Sequence, residues 1–115
     1  MTVTIYHNPR CSKSRQTLSL IEEKGIATNI IEYLKEGPDA ETLKHVLSKL
    51  GKTPRDILRK GEQPYKDLNL ADETKSDDEL IAAMVAHPIL IERPIVIAGD
   101  KAALGRPPEQ VLDIL

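Results

Sequence analysis

One sulfur, one nearby imidazole and a set of guanidinium groups are the residues of this chain best equipped for chemistry. Cys11 is the only cysteine. It sits in "TIYHNPRCSKSR", residues 4–15, among His7, Asn8, Arg10, Ser12, Lys13, Ser14 and Arg15. The commonest fate of a free cysteine is to be a small buried hydrophobe. A core position has no use for cations and hydroxyls on both sides. A thiolate does, because positive charge and the unsatisfied N–H groups of a helix start both favour the anion. Cys11 is therefore read as a nucleophile, in an H-x3-C-x3-R pattern with His7 and Arg15.

The spacing excludes other sulfur chemistries. A dithiol redox centre needs a second cysteine three residues on, where the chain has Ser14. A phosphatase-like C-x5-R loop needs arginine six residues on, where it has Thr17. With no second sulfur, and with His45 and His87 far away in sequence, neither a metal site nor a bound cofactor is expected. A helix start that favours a thiolate also favours a bound anion. Arg59 in "LRKG", Arg93 in "IERPIV" and Arg106 in "LGRPP" are candidates to hold it, with Arg15 as a fourth. Single arginines are most often solvated surface residues. Two of these stand immediately before prolines, however, and guanidinium forks fit tetrahedral oxyanions.

The elements that must position these groups are legible from periodicity. Val3 to Tyr6 is strand-like, and Ser12 to Lys24 reads as a helix stopped by Gly25. Cys11 then falls in a strand-to-helix turn. "NIIEY", Asn29 to Tyr33, is expected as a second strand, which makes a β–α–β unit with a parallel pair. Asp39 caps a helix with Leu43, Val46, Leu47 and Leu50 inward, ended by Gly51. Two short helix starts follow at "TPRDILRKG" and "QPYKDLNL". "KSDDELIAAMVAHP" is a helix capped by Ser76 or Asp77 and broken before Pro88. Ile95 to Ala98 and Ala102 to Leu104 form a strand and its return around Gly99-Asp100. Pro107-Pro108 opens a last helix with Val111, Leu112 and Leu115 inward. One domain over residues 1–115 is expected, α/β, with a helical insertion of about 38–87 between the second and third strands. The order matches a thioredoxin-like fold: a four-stranded mixed sheet, flanking helices, and the reactive cysteine after the first strand. By that analogy Arg93-Pro94 stands where the fold usually has a cis proline.

Composition narrows the function classes. The 115 residues suffice for one real core, which without Phe or Trp must be aliphatic. Net charge is −2 with the signs interspersed, against nucleic acid as a partner. No apolar run approaches membrane-spanning length, and the start lacks the pattern of a signal peptide, so no membrane association is expected. A lone thiol fits a reducing cytoplasm.

The chain resembles, over nearly its whole length, the glutathione- and glutaredoxin-dependent bacterial arsenate reductases. The resemblance rests on "TIYHNPRCSKSR", "LRKGEQPYKDLNL", "DDELIAAMVAHPILIERPIV" and "RPPEQVLDIL". It implies that Cys11 attacks arsenate while Arg59, Arg93 and Arg106 hold the oxyanion. It implies further that His7 favours the thiolate and that Ser14 hydrogen-bonds the sulfur. Glutathione would be the co-substrate and glutaredoxin the protein partner. Arg10 departs from the family, adding a cation where a small residue is common. Two rival readings stand beside this one. A monothiol glutaredoxin-like thiol transferase fits Cys-x-x-Ser after the first strand, but needs neither three convergent arginines nor so long an insertion. A non-enzymatic redox regulator of this fold typically carries Cys-x-x-Cys, which Ser14 denies.

Overall fold

β1 (Thr2–Tyr6) runs into the turn that carries Cys11, and α1 (Ser12–Glu23) leaves it. The computed structural model describes residues 2–115, which fall into two compact units. The first unit joins residues 2–36 to 93–115. In it β2 (Ala27–Ile31) pairs parallel with β1, while β3 (Ile95–Ala98) pairs antiparallel with β1 and with β4 (Lys101–Leu104). The sheet is four-stranded and mixed, in the order β2-β1-β3-β4, as expected for a thioredoxin-like fold.

The central strands are buried because their β-branched residues cover both faces. Val3, Ile5 and Val96 are wholly buried and cluster with Ile21 of α1 and Val111. At about 25 cal/mol per Å² of apolar surface, each such side chain contributes roughly 1.5–3 kcal/mol. This cluster fixes α1 on the sheet, and so fixes where its first turn points. α1 closes at Lys24, and Gly25 takes the left-handed φ of 70° that follows it.

Two elements differ from expectation. β2 begins and ends two residues earlier than "NIIEY" suggests, in register with β1 from Thr2↔Ala27 to Tyr6↔Ile31. Glu32 instead starts a turn, its carbonyl accepting from the Lys35 N–H at 2.9 Å, and Tyr33 is buried from within that turn. An aromatic after β-branched residues mimics strand continuation, but its burial comes from the turn. The last segment, Pro108–Ile114, is a 3-10 helix. Its three-residue repeat carries Pro108, Val111 and Ile114 to one side, of which the first two are buried. Leu112, expected inward at α-helical spacing, is consequently exposed.

The second unit spans residues 37–92. α2 (Ala40–Leu50) is capped by Asp39, whose carboxylate accepts the Thr42 N–H at 2.8 Å. A 3-10 turn at Pro54–Ile57, the short α3 (Gln63–Asp67) and α4 (Asp77–Ala86) follow. Ser76 caps α4 in a reciprocal box with Glu79. Leu43, Val46 and Leu47 of α2 and Leu80, Ile81 and Met84 of α4 form its aliphatic interior, with Ile57 and Leu90. An isolated antiparallel bridge between Leu58 and Ile91 ties the segment after the 3-10 turn to the end of the unit.

Candidate active site

The site is built from the Cys11 turn upward. Cys11 is the N-cap of α1, with extended backbone (φ −95°, ψ 122°) and no capping bond from its side chain. Its N–H donates to the Asn8 carbonyl at 3.0 Å, which folds "HNPRC" back and sets the thiol over the helix start. Burial alone pushes this thiol up. The backbone N–H of Ser14, the charge of Arg93, the N–H of Lys13 and the charge of Arg106 outweigh it, and hold Cys11 below the ordinary thiol value.

Arg93 and Arg106 reach the sulfur from the far end of the sequence. Arg106 Nη2 lies 3.7 Å from Cys11 Sγ, and its Nε donates to the Arg93 carbonyl at 2.7 Å. Both arginines precede cis prolines, Pro94 and Pro107. Gly105 holds this pair of segments together, its N–H donating to the Pro94 carbonyl at 2.9 Å. There is no room for a side chain here: a Cβ on Gly105 would strike Thr17 Oγ1, and would lie 2.6 Å from Pro94 Cγ. Thr17 is itself buried in α1 and bonded to the Lys13 carbonyl at 2.8 Å. Helix, cis-proline segment and Arg106 are thus packed backbone to side chain.

His7 and Ser14 are buried together behind the turn. His7 Nδ1 and Ser14 Oγ are 2.6 Å apart, and the Asn8 N–H donates to the same oxygen at 3.0 Å. Burial lowers the His7 pKa, Glu32 opposes this, and Arg15 adds to it, so the net shift is downward from 6.5. His7 is therefore neutral at pH 7, and its contact is with the Ser14 hydroxyl. Arg15 is exposed and donates from Nη1 to the Pro9 carbonyl at 2.8 Å, bracing the turn.

Arg59 belongs to the second unit, and its surroundings there are acidic. Its Nη1 lies 3.2 Å from Glu62 Oε2, and its Nε 4.0 Å from Glu92 Oε1. The backbone on either side of the Leu58–Ile91 bridge pins these groups: Arg59 N–H donates to Leu90, and Glu92 N–H to Ile57. Arg59 and Glu92 border a cavity of about 690 Å³. Of the seven residues singled out in the sequence, Cys11, His7, Ser14, Arg15, Arg93 and Arg106 lie in the first unit, and Arg59 in the second.

Sequence reasoning missed Gly105 and Thr17, the two acidic partners of Arg59, and Asn8 as the residue that closes the turn. Asn8 had a signal, since asparagine in a turn before a helix is a common backbone-bonding residue. Glu62 stands only three residues after Arg59, a local pairing, whereas Gly105, Thr17 and Glu92 had no signal because each depends on pairing across the fold. Among the described residues, no cluster of His, Cys, Asp or Glu is placed to hold a metal ion. Among the same residues, no helix is long and apolar enough to cross a membrane.

Comparison with known proteins bears on what this constellation does. The model of the ArsC family matches residues 6–114. A protein of Escherichia coli K12 named "Uncharacterized protein YfgD" is 54% identical over 98% of this chain and 96% of its own length. A Haemophilus influenzae protein named arsenate reductase is 51% identical, covering 100% of both chains. The solved structure named arsenate reductase from Vibrio cholerae superposes with a TM-score of 0.97 at 55% identity, over 100% of this chain and 98% of that one.

Proposed function

We propose that this chain, which belongs to the ArsC family, is an arsenate reductase in which the Cys11 thiolate attacks As(V). The observation that carries the reading is the Arg106 guanidinium 3.7 Å from a sulfur whose pKa is held down. One group then both prepares the nucleophile and meets the oxyanion that the nucleophile attacks. The names of full-length relatives support the substrate.

The chemistry balances as follows. Cys11 thiolate forms an S–As bond and displaces an arsenate oxygen as water, with arsenic still As(V). Arg93 and Arg106 neutralise the charge that accumulates, their bonds to the anion shortening as it develops. Arg59 is a third oxyanion ligand in this proposal, carried by the family resemblance. A glutathione thiolate next attacks the Cys11 sulfur. The S–As bond breaks with its electron pair on arsenic, which leaves as arsenite, and Cys11 is left in a mixed disulfide. Glutaredoxin takes the glutathione moiety and returns Cys11 as a thiolate. Two thiols are oxidised for each arsenate reduced.

His7 and Ser14 act on this scheme indirectly. Neutral His7 holds the Ser14 hydroxyl, which with Asn8 fixes the turn whose N–H groups face the sulfur. The cycle suits the cytoplasm, where the glutathione pool keeps a lone thiol reduced. The test is a coupled assay with arsenate, glutathione and glutaredoxin, read as arsenite formed. The parent turns over repeatedly and Cys11→Ser does not. Equal arsenite from both would dismiss the proposal.

A further inference from the structure

The cavity beside Arg59 lies wholly within the second unit, and its walls carry both signs of charge. Arg55, Arg59 and Lys60 supply the positive side, Asp56 and Glu92 the negative. Two of these groups are taken up by the fold. Arg55 donates to the Leu70 and Asp72 carbonyls at 2.9 and 3.1 Å, and Asp56 accepts the Thr53 N–H at 2.9 Å. Lys60 is exposed, so water screens its charge. Arg59 and Glu92 are the pair through which the cavity can choose a ligand.

The Leu58–Ile91 bridge sets Arg59 and Glu92 diagonally across from each other, anchored by N–H bonds to the Leu90 and Ile57 carbonyls, both 2.8 Å. Their side chains are only 23% and 28% exposed, so their charges act at closer to full strength than those of surface residues. Glu62 grips the guanidinium, with Oε2 3.2 Å from Nη1. Glu92 stands off from it, since 4.0 Å between Nε and Oε1 is too long for a hydrogen bond. A guanidinium only donates, through five N–H groups, and a carboxylate only accepts, at about four lone pairs. Each therefore has capacity for a ligand beyond its partners within the protein. A donor and an acceptor side by side suit an anion that accepts at one oxygen and donates from another. A fully deprotonated oxyanion only accepts, and Glu92 repels it.

From this we infer that Glu92 is a specificity-determining residue for the oxyanion held by Arg59. Its carboxylate accepts a hydrogen bond from an O–H of the anion, and so selects a protonated tetrahedral oxyanion, such as hydrogen arsenate or hydrogen phosphate, over sulfate. The inference rests on the reading of Arg59 as an oxyanion ligand. Glu62, already bonded to Arg59, holds that arginine in place and adds no preference between the anions.

The experiment reads binding, with no turnover. At about pH 8 and constant ionic strength, hydrogen phosphate and sulfate are both tetrahedral dianions and differ in a single O–H. Each is titrated into the full, isotopically labelled chain, and the NMR signals of the Arg59, Lys60 and Glu92 backbone amides give the two dissociation constants. The parent binds phosphate more tightly than sulfate. In Glu92→Gln that preference falls about tenfold, because the amide loses the charge-assisted bond to phosphate and can donate to sulfate. Glu92→Asp, which keeps the charge but withdraws it by one methylene, gives a smaller fall in the same direction. The two anions carry the same charge, so general electrostatics moves both constants together and leaves their ratio alone; Glu62→Gln does only this. A parent without the preference, an unchanged ratio in Glu92→Gln, or an equal collapse in Glu62→Gln overturns the inference and leaves Arg59 an oxyanion ligand. Signals that neither anion moves would dismiss that role of Arg59, and the inference with it.

Discussion

Replacing Arg106 with alanine should raise the midpoint at which Cys11 becomes a thiolate. The guanidinium nitrogen is 3.7 Å from the sulfur. At that separation two unit charges interact by about 1 kcal/mol in a water-like dielectric, and by about 4–5 kcal/mol at an effective dielectric of 20. Arg106 is exposed and Cys11 only half-buried, so screening favours the lower figure. About 1 kcal/mol corresponds to a rise of about 0.8 pH unit. Below the midpoint the thiolate fraction then drops about sixfold. A more basic thiolate is also more nucleophilic, with a Brønsted slope of about 0.4–0.5, so the observed rate falls only about threefold. Iodoacetamide alkylation of Cys11 followed from pH 4 to 9 measures both quantities. Arg106→Lys should keep part of the effect, since the charge remains while the fork that also grips the Arg93 carbonyl is lost. A midpoint in Arg106→Ala identical to the parent's would refute the claim that this arginine activates the sulfur.

Other perturbations follow from the same geometry. Gly105→Ala places a Cβ against Thr17 and Pro94, so urea unfolding should show a loss of about 1–3 kcal/mol, and the alkylation midpoint should move toward that of Arg106→Ala. The His7 pKa is lowered by folding, so the unfolded chain takes up protons first. Stability is therefore full above the unfolded value of 6.5 and declines as pH falls from there through the folded value; His7→Gln should flatten that segment of the melting-temperature profile. Ser14→Cys supplies a second sulfur one helical turn from Cys11. It should form an internal disulfide detectable by mass under oxidation, and should lower the dependence of turnover on glutathione.

The readable parts of this protein were those whose causes are local. β1 could be read because Val3, Thr4, Ile5 and Tyr6 favour an extended backbone wherever they occur, and α1 because of the chain's stop at Gly25. The placement of Cys11 at the junction followed from those two elements alone. β2 was displaced because register with β1, a non-local pairing, decided its ends over the local run of β-branched residues. In the last segment Pro-Pro and spaced aliphatics announce a helix without saying which kind; the burial of Val111 on the sheet selects the tighter repeat. Among the site groups, the cationic neighbours of Cys11 were visible as sequence, whereas the Arg106 contact spans 95 positions and no periodicity encodes it. Arg93, Arg106 and Arg59 could be picked from other arginines only through prolines and family resemblance. Of the carboxylates beside Arg59, Glu62 is a neighbour three residues on, whereas Glu92 depends on the Leu58–Ile91 bridge and so became apparent only in three dimensions.

The most direct test of the mechanism counts arsenite molecules formed per chain under two reductants. With glutathione and glutaredoxin, arsenite should accumulate through many turnovers, because the second sulfur comes from solution. With thioredoxin as the sole reductant, formation should stop near or below one arsenite per chain, because Cys11 has no internal partner with which to resolve its arsenic adduct. Steady multiple turnover on thioredoxin alone would contradict the account.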